Sequence, residues 1–156
     1  MRSDKKTHLG NIIRTAFFCV FLSMASCVAF AGEIVAIVHP GNGATEFSAD
    51  ELKKIFMINR KNWPDGTGII VLLPAWGSDE MKVLTTRIVK CGDEANLKKY
   101  YLTAIFQQKI TEIPASVRDD QDAAGLVAAN AGSIAIVDES NIPGVAGIKV
   151  VRINGL

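Results

Sequence analysis

Residues 34–56 read IVAIVHPGNGATEFSADELKKIF, and the fold is decided there. Ile34 to Val38 is an unbroken, largely β-branched run closed by His39-Pro40-Gly41-Asn42-Gly43. A run of that length between turn residues is a buried strand. Ser48-Ala-Asp-Glu51 is a capping box. The serine hydroxyl accepts from the amide three residues on, and the glutamate reaches back to the serine amide. Leu52, Ile55 and Phe56 then make one apolar stripe, so the spacing predicts a helix to about Met57.

Downstream the pattern repeats. Trp63-Pro64-Asp65-Gly66 is a turn, with proline presetting its second position and glycine relieving its last. Ile69 to Leu73 reads as a second buried strand. Ser78 opens a helix carrying Met81, Leu84, Ile88 and Cys91 at helical spacing, and Gly92 stops it. A third helix covers about Glu94 to Gln108, with Leu97, Tyr101, Ala104 and Ile105 on one side. Asp119 or Asp120 opens a fourth, ending near Asn130-Ala131-Gly132. Ile134 to Val137 is a third strand, and the alternation of Ile148 to Ile153 suggests a last strand at an edge. Short buried strands alternating with helices make an α/β domain with a largely parallel sheet. Ligands of such sheets sit beyond the carboxyl ends of the strands. That places His39 to Thr45, Pro74 to Asp79 and Asp138 to Asn141 on one expected rim.

Upstream, the first 31 residues read as an export signal. Lys5, Lys6 and Arg14 are its basic part, an apolar run extends from Ala16, and Ala29-Phe30-Ala31 is an A-x-A cleavage site before Gly32. The run to Ala31 is short of the roughly 20 residues of a membrane-spanning helix. Residues 1–31 are thus expected to be a cleaved signal and residues 32–156 one domain, periplasmic or secreted. A second reading keeps a membrane link, through an uncleaved signal or lipidation at Cys27 in the lipobox-like Met24-Ala-Ser-Cys27. Under cleavage Cys19 and Cys27 are lost and Cys91 has no partner, so it reads as a small buried hydrophobe on a helix.

The chain is 49% apolar and 21% charged, which excludes a disordered or fibrous protein. Of 17 basic and 16 acidic side chains, four (Arg2, Lys5, Lys6, Arg14) and one (Asp4) precede Gly32. That leaves 13 and 15, a net of −2, with no basic footprint for nucleic acid.

Several blocks resemble the phosphate ABC transporter substrate-binding (PstS-like) proteins. They are Glu51-Leu-Lys-Lys-Ile-Phe56 followed by Arg60 to Thr67, the Gly77-Ser78 turn, Ile105-Phe106-Gln-Gln-Lys109 through Pro114, and Ala131-Gly132-Ser133-Ile134. Their order and spacing carry the resemblance from about Glu33 to Asp138. It implies a single lobe of a type II periplasmic-binding-protein-like fold, a mostly parallel sheet flanked by helices. Full receptors close two lobes on the ligand, and they carry an arginine and a Gly-Ser-Gly-Thr run near the second strand. Here Pro74 and Trp76 precede Gly77-Ser78, while Asp79 and Glu80 follow.

The candidate ligand-binding residues are Gly43, Thr45, Gly77, Ser78 and Lys82. Ser78 at a helix N-terminus offers free amides and the positive dipole end, Gly77 permits close approach, and Lys82 adds charge. The bland alternative is an ordinary N-cap, with Asp79 and Glu80 complementing the dipole themselves. Gly43 and Thr45 would present an amide and a hydroxyl. His39 is the one histidine after Gly32 and reads as a packed or solvated turn residue, and one histidine and one cysteine make no zinc site. No nucleophile–base motif, P-loop or dinucleotide fingerprint is present, so the chain reads as no enzyme and implies no cofactor. Lys53, Lys54, Arg60 and Lys61 are either a solvated face or a dock for an acidic partner. Trp63 reads as packed beneath its turn, Trp76 as an exposed contact for a partner or a second protomer, and Tyr100, Tyr101 and Phe106 as core. The expected function is binding of phosphate or another small anion. The alternative is a ligand-less module acting as an interaction or sensory accessory.

Overall fold

The computed structural model describes residues 32–156; the expected signal, its cleavage site and Cys27 lie outside the described residues. Five strands form the sheet: β1 (Ile34–Val38), β2 (Glu46–Ser48), β3 (Ile70–Val71), β4 (Ser133–Asp138) and β5 (Lys149–Asn154). The helices are α1 (Ala49–Phe56), α2 (Asp79–Val83) continued by a π-helical turn Leu84–Ile88, α3 (Glu94–Phe106) and α4 (Asp120–Ala129).

Local chemistry sets these boundaries. Ser48 caps α1, and both halves of its capping box form: the Glu51 amide donates to Ser48 Oγ at 3.2 Å and the Ser48 amide to Glu51 Oε2 at 3.0 Å. The Ser48 amide, and after it the Ser48 hydroxyl at 3.0 Å, donate to the Glu51 carboxylate and hold it below its ordinary value. Asp93 and Asp119 cap α3 and α4 through one bond each, accepting from the Asn96 and Asp122 amides at 2.8 Å.

The strand order is β2-β5-β1-β4-β3. β1 is antiparallel to both β4 and β5, whereas β2–β5 and β3–β4 are parallel. The sheet is therefore mixed, which corrects the expected mostly parallel sheet. The apolar run of β1 reports burial on both faces, and burial does not fix direction. β5 lies inside the sheet between β2 and β1, not at an edge. Its alternating burial reports one covered face, not a missing neighbour.

Helices cover the two faces separately. Ala36 and Val38 of β1 join Leu52, Ile55, Met81, Leu84, Leu97 and Tyr101 in the larger core. Val35 and Ile37 pack on the other face with Ala123, Ala124 and Val127 of α4. Trp63 is buried beneath its turn, its ring nitrogen donating to Gly132 O at 3.0 Å. Tyr101 is fully buried and donates its hydroxyl to Phe56 O at 2.6 Å, while the half-buried Tyr100 reaches Met57 O at 2.7 Å. Phe106 is 90% exposed, which corrects its placement in the core: it falls off the stripe of Leu97, Tyr101 and Ala104. Cys91 is half-buried in the loop after the π turn rather than on a helix, and burial raises its thiol pKa.

Candidate functional site

The strand directions decide which loops share a rim. Because β1 runs against its neighbours, Val38 sits opposite Ile134 at the start of β4, and Ile34 opposite Asp138 at its end. The His39–Thr45 loop therefore emerges where the other four strands begin. Pro74–Ser78 and Asp138–Asn141 emerge where β3 and β4 end. The five candidate residues fall into two groups at opposite ends of the sheet, which corrects the expectation of one rim.

Gly43 and Thr45 line a cleft of about 320 Å³ with Glu46, Glu51, Arg60 and Trp63. Arg60 lies 5.9 Å from the Trp63 ring centroid, and its Nε donates to Asn62 O at 3.3 Å. Glu51 is committed to its cap, and Glu46 accepts from Asn154 Nδ2 at 2.9 Å. Asp65 also lines this cleft, so three carboxylates face one guanidinium. That balance opposes an anion. His39 serves its own turn, Nδ1 accepting from the Gly41 amide at 3.1 Å.

Gly77, Ser78 and Lys82 line a separate cleft of about 520 Å³ with Thr85, Gly92, Asp93, Glu94 and Ala95. Gly77 adopts φ +85, a conformation glycine takes without strain. Ser78 is the N-cap of α2, its Oγ accepting from the Met81 amide at 3.1 Å. Lys82 Nζ pairs with Asp79 Oδ1 at 3.2 Å across an exposed turn. The Gly77 amide donates to Glu94 Oε1 at 2.8 Å. A carboxylate from the first turn of α3 is thus bound at the Gly77 amide. Sequence reasoning missed Glu94: it placed the residue at the start of α3 but gave no sign of the Gly77 contact.

The same end of the sheet carries Asp120, whose Oδ2 accepts from the Asp138 amide at 3.2 Å and from Asn141 Nδ2 at 2.8 Å. Burial raises its pKa. Trp76 is 42% exposed and lines a small hollow with Glu94, Ala95 and Lys98. Among the described residues, no helix is long and apolar enough to cross a membrane.

No protein-family model and no curated protein matches the chain. Solved structures do match. One is the phosphate-bound structure of a protein assigned as a phosphate ABC transporter substrate-binding protein from Clostridium perfringens. It aligns with a TM-score of 0.60 at 17% identity, over 80% of this chain and 46% of the other. PstS from Borrelia burgdorferi aligns with a TM-score of 0.59 at 11% identity, over 79% and 47%. An ABC-type phosphate transport receptor from Vibrio cholerae aligns with a TM-score of 0.56 at 13% identity, over 78% and 46%. The chain spans less than half the length of each. At such identities the likeness is one of fold, and at that level the resemblance read from the blocks between Glu33 and Asp138 is borne out.

Proposed function

We propose that the protein is an exported, single-lobe, solute-binding-like domain of residues 32–156 that takes phosphate or a similar small oxyanion at Gly77, Ser78 and Lys82. Export would follow signal cleavage near Ala31, with lipidation at Cys27 the other route. The observation that carries the anion site is the Gly77 amide, held 2.8 Å from a carboxylate oxygen of Glu94. A backbone donor at a strand-end turn that already binds one oxyanion in cis has the geometry to bind another in trans. Gly43 and Thr45 are not part of this site, since they lie at the other end of the sheet. The fold likeness to phosphate-binding proteins supports the choice of ligand class.

The same contact favours a second reading: with its own carboxylate permanently in place, the domain is a ligand-less module. Melting temperature separates the two. The purified protein and its Glu94→Ala variant are each melted in phosphate, sulfate and chloride at matched ionic strength. Ligand at 100 times its dissociation constant stabilises by about 2.7 kcal/mol, several degrees for a domain of this size. A phosphate-selective rise that is larger in Glu94→Ala supports the anion site. No rise in either protein sinks it and leaves the ligand-less module.

A further inference from the structure

At the β3 edge of the sheet lies an open groove of about 510 Å³ that the anion reading does not use. Its walls carry Ile58, Ile69, Ile70, Ile110 and Ile113, and its rim carries Arg60, Lys61 and Lys109 against one carboxylate, Glu112. Ile70 is 48% exposed although it belongs to a strand. Ile58 is a β-branched residue at φ +57, a conformation that costs such a side chain about 1–2 kcal/mol. The neighbouring backbone is also incomplete. Ile70 and Leu72 direct their amides to Gly132 O and Ile134 O of β4, so the amide of Val71 between them points the other way, toward the groove. Lys61 covers Ile69 on that side and Ala115 covers Leu73, which leaves a gap between them.

We infer that this groove docks a segment of another protein in which an apolar side chain is flanked by carboxylates. The isoleucine walls would take the apolar anchor, and Lys61 and Lys109 would meet the acidic flanks. Charge complementarity selects this occupant. Residues 1–31 of the chain itself carry four basic side chains against one acid and would be repelled by the same rim. The proposal does not depend on phosphate binding at Gly77.

The test is an NMR titration of the ¹⁵N-labelled purified protein with the capped peptide Asp-Asp-Leu-Phe-Asp-Asp. Two control peptides replace the aspartates by lysine, or leucine and phenylalanine by alanine. Expected are shifts centred on Ile70, Val71 and residues 110–115, with affinity falling as salt is raised. Both controls should bind weakly or not at all. The Lys61→Glu/Lys109→Glu variant should lose about tenfold or more in affinity. Ile70→Asp, on an exposed position, should lose binding while keeping the rest of the spectrum. Several results would overturn the inference: no groove shifts at millimolar peptide, equal binding of the lysine peptide, or unchanged affinity in the charge-reversed variant. Groove shifts that grow with protein concentration alone would make a second copy the occupant and overturn it as well.

Discussion

Two glycine-to-alanine substitutions should move stability in opposite directions, and the contrast tests how β4 is seated. A methyl built on Gly132 would lie 2.1 Å from the Gly68 carbonyl oxygen and 3.3 Å from its carbon. A carbon–oxygen contact relaxes at about 3.3–3.6 Å, so the strand start or the Gly68 turn must move by about 1 Å. Neither is free to do so. Gly132 O accepts from both the Ile70 amide and Trp63 Nε1 at 3.0 Å, and the Trp63 amide is tied to Thr67 O at 2.8 Å. Overpacking costs about 1–3 kcal/mol, and each weakened hydrogen bond adds about 1 kcal/mol. Gly132→Ala should therefore cost about 3 kcal/mol or more and lower Tm by roughly 10 °C. Gly125 sits within α4, is exposed, and has nothing near a new methyl. Alanine there should add about 0.5–1 kcal/mol by helix propensity. Circular dichroism melts of both variants beside the parent protein read the difference. A Gly132→Ala protein that melts within about 2 °C of the parent would refute the close approach of the two backbones. A destabilised Gly125→Ala would refute the placement of α4.

Tyr101→Phe leaves Phe56 O without its buried donor and should cost about 1–3 kcal/mol, more than Tyr100→Phe at the half-buried Met57 O; urea unfolding of the two variants checks the order. Ser48→Ala should cost about 1 kcal/mol at neutral pH. Because Glu51 titrates below its ordinary value when folded, its share of the cap is fully present above the unfolded value. That share is lost as pH falls through the folded one. The stability gap between the parent and Glu51→Gln should accordingly narrow in acid melts, and a gap that widened would contradict the sign. Gln108 follows the C-cap of α3 at φ +57, a left-handed conformation that glycine adopts without strain. Gln108→Gly should raise stability by about 1 kcal/mol in the same melts.

Much of the fold was legible where one residue type does one job. The capping box at Ser48 and Glu51 and the β-branched run of β1 each announce a boundary by local chemistry. β2 was not legible. It has three residues, Glu46 to Ser48, too few for an alternation, and its last residue doubles as an N-cap. The direction of β1 was not legible either, because a strand covered on both faces carries the same composition in a parallel and an antiparallel sheet. That single reversal separated Gly43 and Thr45 from Gly77 and Ser78. Phe106 misled because its type favours the core while its angular position on α3 does not.

The contact between Gly77 and Glu94 turns the question of function into one of competition. A tethered carboxylate acts at an effective concentration on the order of millimolar, set by its linkage and not by the solution. In the proposed site, free phosphate would have to displace it before the amide, the Ser78 hydroxyl and Lys82 could converge. Lys82 meanwhile gives up Asp79, an exposed pair worth little. The apparent dissociation constant is therefore the intrinsic one multiplied by one plus the ratio of the Glu94 effective concentration to its own local constant. Only the Glu94 factor is removed in Glu94→Ala. The affinity ratio between variant and parent then measures how tightly the domain binds itself, whatever the absolute affinity. As the proposed single lobe, the domain would offer the ion one wall, so a modest intrinsic affinity is expected. A tight affinity in Glu94→Ala alone would mean that the carboxylate holds the site shut. A ratio near one, with phosphate bound by both proteins, would mean that phosphate enters without displacing Glu94 and that the Gly77 amide is not the donor.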